Sequence, residues 1–238
     1  MPHTGWNNFS LIFKGHQDNG FRKVTRSMAF PPQRLLPEKI QDHFRTLLKP
    51  LIKILTKSGI SPNSFTLAGA LITSMAAAAL ILKQTRIGGA LILIGGLCDS
   101  IDGSLARSCG KATRFGALLD SAIDRYSEFA MFFGIIAYFM TLKDFSTSVV
   151  AFLALCGSIM VSYSRARAEG LGYEAKSGLM QRAERIVFLG SGALFHPILF
   201  KLAIWLVAIF ANFTAFQRIF LAYQQDSSPG DQKPMVED

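Results

Sequence analysis

The feature that most constrains this chain is a series of apolar runs, several long enough to cross a bilayer, separated by short polar turns. From Phe65 to Leu82 almost every residue is apolar, and about 20 such residues in a helix span the ~30 Å hydrocarbon layer. Further runs follow at about Ile87–Arg107, Phe115–Leu142, Ser148–Arg165, Ile186–His196 and Ile198–Tyr223, the fifth being the shortest. Lipid offers the backbone no hydrogen-bond partners, so such runs fold as helices. The predicted fold is therefore an all-α integral membrane protein with six transmembrane helices. Composition agrees: 50% of residues are hydrophobic and only 17% charged, against about 25% charged in an ordinary soluble domain.

Ahead of the spans, Ile40, Phe44, Leu47, Leu48, Leu51, Ile52 and Leu55 recur at helical spacing, with Lys39, Arg45, Lys49, Lys53 and Lys57 between them. This is the pattern of an amphipathic helix lying in the membrane interface, with Pro50 expected to kink it. The predicted organisation is a mobile N-terminal arm over 1–35, an amphipathic juxtamembrane helix over 36–58, a membrane domain over 59–223 and a polar C-terminal tail over 224–238. Six spans bring both termini to one side, with the Arg107–Arg114 and Arg165–Arg185 segments. Most of the Lys and Arg lie there, which makes that side cytoplasmic. The net charge of +9 thus reads as membrane anchoring, and no nucleic-acid motif accompanies it. Cys98, Cys109 and Cys156 show neither disulfide nor zinc spacing. The polar N-terminus lacks the pattern of a signal peptide, so the first span is expected to direct insertion into the cell's inner membrane.

The chemistry concentrates at one end of the second and third spans. Asp99 and Asp102 are three residues apart, and Asp120 and Asp124 four apart; both spacings place side chains on one helical face. Two antiparallel helices can aim all four at one point near the cytoplasmic surface. Clustered carboxylates near hydrocarbon are costly unless compensated. Divalent cations with oxygen ligands provide that compensation, and Mg²⁺ characteristically shares carboxylates with a substrate phosphate. A cation pathway is the competing chemistry, since Glu128 extends the stripe. It would need a continuous polar route, which the outer halves of these spans lack.

The full pattern, Asp99-x-x-Asp102-Gly103-x-x-Ala106-Arg107, eight residues, then Gly116-x-x-x-Asp120-x-x-x-Asp124, resembles the signature of the CDP-alcohol phosphotransferase (phosphatidyltransferase) family at every fixed position. The resemblance implies a six-helix, homodimeric enzyme using Mg²⁺ or Mn²⁺, with two divalent ions, that releases CMP from CDP-diacylglycerol. It further implies that Asp99, Asp102, Asp120 and Asp124 hold metal and that Asp124 is the general base. Ser61, Pro62, Asn63, Ser64, Gly103, Arg107 and Thr113 resemble the contacts to the CDP-lipid. Two arginine-rich runs, Ser164-Arg165-Ala166-Arg167 and Gln181-Arg182-Ala183-Glu184-Arg185, are similar to those of phosphatidylinositol phosphate synthases. Their likeness implies that Arg165, Arg167, Arg182 and Arg185 bind the phosphate of a phosphorylated polyol acceptor, inositol phosphate first and glycerol 3-phosphate as the alternative. Arg165 and Ala183 depart from the Lys and Pro frequent there.

Overall fold

The computed structural model describes residues 38–57, 61–108, 113–175 and 178–227, and over these every regular element is helical. The helices are α1 (Glu38–Lys57), α2 (Pro62–Ile81), α3 (Thr85–Ser108), α4 (Arg114–Thr141), α5 (Phe145–Gly170), α6 (Arg182–Phe195) and α7 (Pro197–Asp226). The arm expected over 1–35 lies outside the described residues.

The helix boundaries follow local chemistry. Ser61 caps α2 by accepting from the Ser64 amide, and Pro62 occupies the first helical turn, where its missing N–H costs nothing. Thr113 caps α4 through the Gly116 amide, and Asp144 caps α5 through that of Thr147. Gln181 and Glu184 form a reciprocal capping box at the start of α6. His196-Pro197 separates α6 from α7 with one extended residue. The tight turns between α2 and α3 and between α4 and α5 each pass through a lysine with positive φ, Lys83 and Lys143.

Four helices, α2, α3, α5 and α7, contain segments long and apolar enough to cross a membrane. The other two expected spans differ for physical reasons. α6 has 14 residues, about 21 Å at 1.5 Å per residue, which is shorter than the hydrocarbon layer. α4 is long enough, but Asp120, Asp124, Arg125 and Glu128 load its first half with charge. α7 also runs into the segment expected to be tail. Gln225 exchanges two hydrogen bonds with the Glu174 backbone, and Asp226 accepts from the Tyr173 hydroxyl, tying α7 to the α5–α6 loop.

α2 packs against both α3 and α4, α3 against α6, α6 against α7, and α5 against both α4 and α7. A core of Phe132, Ile135, Ala154, Val161, Leu189, Phe200 and Ile204 joins the last four helices. Tyr138, Phe139 and Phe200 stack with ring centroids 4.9–6.0 Å apart. Leu48 and Ile52 seat α1 on Ile101 and Leu105 of α3. Outward-facing positions are also apolar: Leu71, Phe133, Phe152, Phe213 and Phe216 are all exposed. Water penalises such a surface, whereas lipid does not.

One close approach decides how α2 meets α4. A Cβ on Gly134 would lie 2.5 Å from the Ala77 Cα, so any side chain there forces the helices apart. Gly134→Ala is expected to destabilise the fold by about 1–3 kcal/mol. Gly170→Ala, where a Cβ meets nothing within 4 Å, is expected to change stability little. Thermal unfolding in detergent compares the two.

Candidate active site

The helices alternate in direction, so the starts of α2, α4 and α6 share one end with the finishes of α3, α5 and α7. The aspartates, the residues expected to meet CDP and the four arginines expected to hold phosphate all fall toward that end. α3 and α4 make little direct contact; each leans on α2 instead. A cleft is left between them, lined by Thr66, Gly69, Asp99, Asp124, Glu128 and Arg182 among others.

Three of the four aspartates converge across this cleft. Asp99, Asp120 and Asp124 each offer a carboxylate oxygen, and these oxygens lie within 4.8 Å of one another. Asp102 lines the same cleft but stands outside this group of three. It is buried, accepting from the Thr66 hydroxyl at 2.7 Å and from the Gly103 amide at 2.5 Å. The spacing placed Asp102 on the right face, but its rotamer follows a partner on α2 that periodicity does not reveal.

The carboxylates fit a hard divalent ion. Oxygen donors at this separation match Mg²⁺ or Mn²⁺, and Asp120 Oδ1 is buried without a hydrogen-bond partner, a state that needs explanation by an ion, water or function. Arg182 supplies positive charge beside the carboxylates. Its Nη2 lies 2.9 Å from Asp124 Oδ1 and its Nε 3.4 Å from Asp99 Oδ2, and its Nη1 donates to the Asp124 backbone carbonyl at 2.9 Å. Arg125 pairs with Asp124 Oδ2 at 3.4 Å.

The residues expected to meet CDP lie at the starts of α2 and α4 and near the finish of α3. Ser61 and Ser64 are hydroxyl neighbours at 3.1 Å. A Cβ on Gly116 would contact Thr113 Oγ1 at 2.9 Å and Asn63 Oδ1 at 3.8 Å, so the caps of α2 and α4 lie side by side. Beside Gly103, a Cβ would meet only the Arg107 guanidinium, at 3.6–3.8 Å. Gly103 therefore leaves open space beneath an exposed arginine.

The four arginines expected to hold acceptor phosphate divide into distinct environments. Arg165 pairs with Glu169 at 2.9 Å on the surface, and Arg167 is exposed. Arg182 is occupied by the aspartates. Arg185 is only 1% exposed and gives Nε and Nη2 to Glu128 Oε1 at 3.0 and 2.7 Å. The structure adds Arg218 of α7, buried, with its guanidinium on the Val161 carbonyl and close enough to Arg165 and Arg185 to feel their charge. The available signal for Arg218 was an arginine inside an otherwise apolar span, which is costly in lipid and marks function.

Comparison with known proteins identifies the arrangement. Residues 59–216 match the model of the CDP-alcohol phosphatidyltransferase family. An archaetidylinositol phosphate synthase of Pyrococcus horikoshii is 38% identical over 185 residues, covering 77% of this chain and 95% of the relative. The crystal structure of Mycobacterium tuberculosis phosphatidylinositol phosphate synthase with CDP-DAG bound is similar with a TM-score of 0.68 at 28% identity, covering 79% of this chain and 98% of that one. The same enzyme in complex with manganese and citrate also gives 0.68 at 28% identity, with 79% and 92% covered. Carboxylates of α3 and α4 meeting in a cleft, within a sequence whose residues 59–216 match the family model, make this chain a member of the CDP-alcohol phosphatidyltransferase family.

Proposed function

We propose that the protein transfers the phosphatidyl group of CDP-diacylglycerol to the hydroxyl of inositol phosphate, releasing CMP. The observation that carries this reading is the meeting of Asp99, Asp120 and Asp124 at the same helix ends as Arg165, Arg167 and Arg218. The CDP-DAG and manganese complexes of the M. tuberculosis enzyme support it from outside the chain. On this reading 59–223 is a six-span membrane domain whose site faces the cytoplasm, 36–58 lies in the interface, and the enzyme acts as a homodimer, as the family resemblance implies.

Asp99, Asp120 and Asp124 would hold the metal together with Asp102, as the family resemblance implies. Divalent ions at this position neutralise the diphosphate and stabilise the departing phosphate. Asn63, Ser64 and Thr113, with Arg107 above Gly103, hold the CDP end, while the acyl chains reach the cleft from the bilayer. Asp124 takes the proton of the acceptor hydroxyl as its oxygen bonds to the lipid-bearing phosphorus and the bond from that phosphorus to the CMP oxygen breaks. Alignment and fixed charge supply most of the rate.

Arginines suit a phosphate because the guanidinium fork matches its oxygens. Arg165, Arg167 and Arg218 form the cationic wall of the acceptor site. The test is CMP release from CDP-diacylglycerol with Mn²⁺ or Mg²⁺, screened against inositol phosphate, inositol, glycerol 3-phosphate and serine. Turnover is expected with inositol phosphate and no turnover after chelation. Turnover with glycerol 3-phosphate alone would reassign the acceptor and keep the phosphate pocket, whereas turnover with free inositol or serine alone would remove the pocket. Arg167→Ala is expected to raise the acceptor KM about tenfold or more with the donor KM little changed; equal changes in both would count against the assignment.

A further inference from the structure

Arg182 stands among the carboxylates that the proposed function assigns to metal, and a second acceptor waits beside it. Glu128 is 3% exposed, and its Oε2 is buried with no hydrogen-bond partner, because Arg185 uses only Oε1. That vacant oxygen faces Arg182 Nη1 at 3.8 Å. The guanidinium is imperfectly held where it is, since its own Nε is buried without a well-formed hydrogen bond. Both Glu128 and Arg182 line the aspartate cleft.

We infer that Arg182 is a built-in counter-cation which leaves the aspartates for the vacant Glu128 oxygen when divalent metal enters. Arg182 takes Asp99 Oδ2 and Asp124 Oδ1, and Arg125 faces Asp124 Oδ2, so an entering metal ion competes with guanidinium groups for these oxygens. Moving a partly buried arginine off its carboxylates with no new partner would be unfavourable. A carboxylate oxygen 3.8 Å away gives the guanidinium a destination reached by side-chain rotation alone. Glu128 then acts as a positioning residue through Arg182, and the aspartates stay compensated before and after metal binding.

The inference rests on the aspartates being metal ligands, and one set of measurements separates the two. The probe is Mn²⁺ alone, titrated into the full-length protein in detergent and followed by the electron paramagnetic resonance signal of the free ion. Absence of Mn²⁺ binding by the wild type would remove the metal reading itself. If Mn²⁺ binds, Arg182→Gln is expected to tighten it about tenfold, within the usual range of coupling between sites. An unchanged or weaker affinity would overturn the counter-cation. Glu128→Gln is expected to weaken Mn²⁺ binding about fivefold in the wild type and to have little effect in the Arg182→Gln background, a coupling that a double-mutant cycle measures. Equal effects in both backgrounds would mean Glu128 acts by its charge alone, and would overturn the second position. If Glu128→Gln fails to fold, Glu128→Asp keeps the charge for Arg185 while withdrawing the oxygen from Arg182, and the same comparison applies.

Discussion

Asp124→Asn is expected to reduce CMP release by about 10²–10⁴-fold, the usual worth of a positioned general base, while part of the metal-dependent binding of CDP-lipid survives. The amide has the carboxylate's shape, and its one oxygen can still accept from Arg182, 2.9 Å from Asp124 Oδ1, while its NH2 gives up the contact to Arg125, 3.4 Å from Oδ2. It cannot take a proton, and it is a poorer metal ligand. These two losses are separable through Asp120. Asp120 carries a buried oxygen with no hydrogen-bond partner, so its assigned work is ligation. Asp120→Asn is therefore expected to raise the Mn²⁺ concentration needed for activity and to recover in part when Mn²⁺ is added in excess. Asp124→Asn is expected not to recover. Steady-state CMP release over a Mn²⁺ series, with CDP-lipid binding measured in parallel, makes the comparison. Recovery of Asp124→Asn by metal would return that residue to a ligand only and leave the base unassigned.

The difference between these aspartates shows what a sequence can and cannot carry. Spacings of three and four residues put Asp99 with Asp102 and Asp120 with Asp124 on helical faces, because the helix repeat is local geometry. The apolar runs gave the helices for the same reason, to within a few residues at most ends. Which partner a side chain chooses is not local. Asp102 bonds to Thr66, 36 residues away, and Arg182 reaches Asp124 across 58. Nor does the pattern separate Arg165 from Arg185, although one is on the surface and the other fully buried. The arginine-rich runs look alike as text. Their environments diverge because α6 turns Arg185 inward onto Glu128 of α4, while the last turns of α5 leave Arg165 and Arg167 at the surface.

That divergence sets the effect expected at Arg185. A residue that touched only the acceptor would change the acceptor KM and leave the fold alone. Arg185 instead neutralises Glu128, which is equally sequestered, and its Nη1 lies 3.5 Å from the Met180 carbonyl. Met180 in turn donates its amide to Thr214 at 3.0 Å, so the pair fastens the α5–α6 loop to both α4 and α7. Arg185→Ala leaves the buried Glu128 carboxylate with only its 3.8 Å contact to Arg182, at a cost of about 3–5 kcal/mol. The expected result is a large fall in the thermal unfolding temperature in detergent, with CMP release lost as folded protein is lost. Replacing both partners by leucine, Arg185→Leu with Glu128→Leu, removes the charges together and is expected to restore most of the stability, since an apolar pair of similar volume commonly does as well as a buried ion pair. Activity should stay low in that double variant, because Glu128 also faces Arg182 across the cleft. Arg167→Ala supplies the contrast, with unfolding unchanged and only the acceptor KM raised. If Arg185→Ala unfolded at the wild-type temperature and raised only the acceptor KM, Arg185 would belong to the phosphate pocket, and the anchoring of the loop would have to come from elsewhere in α6.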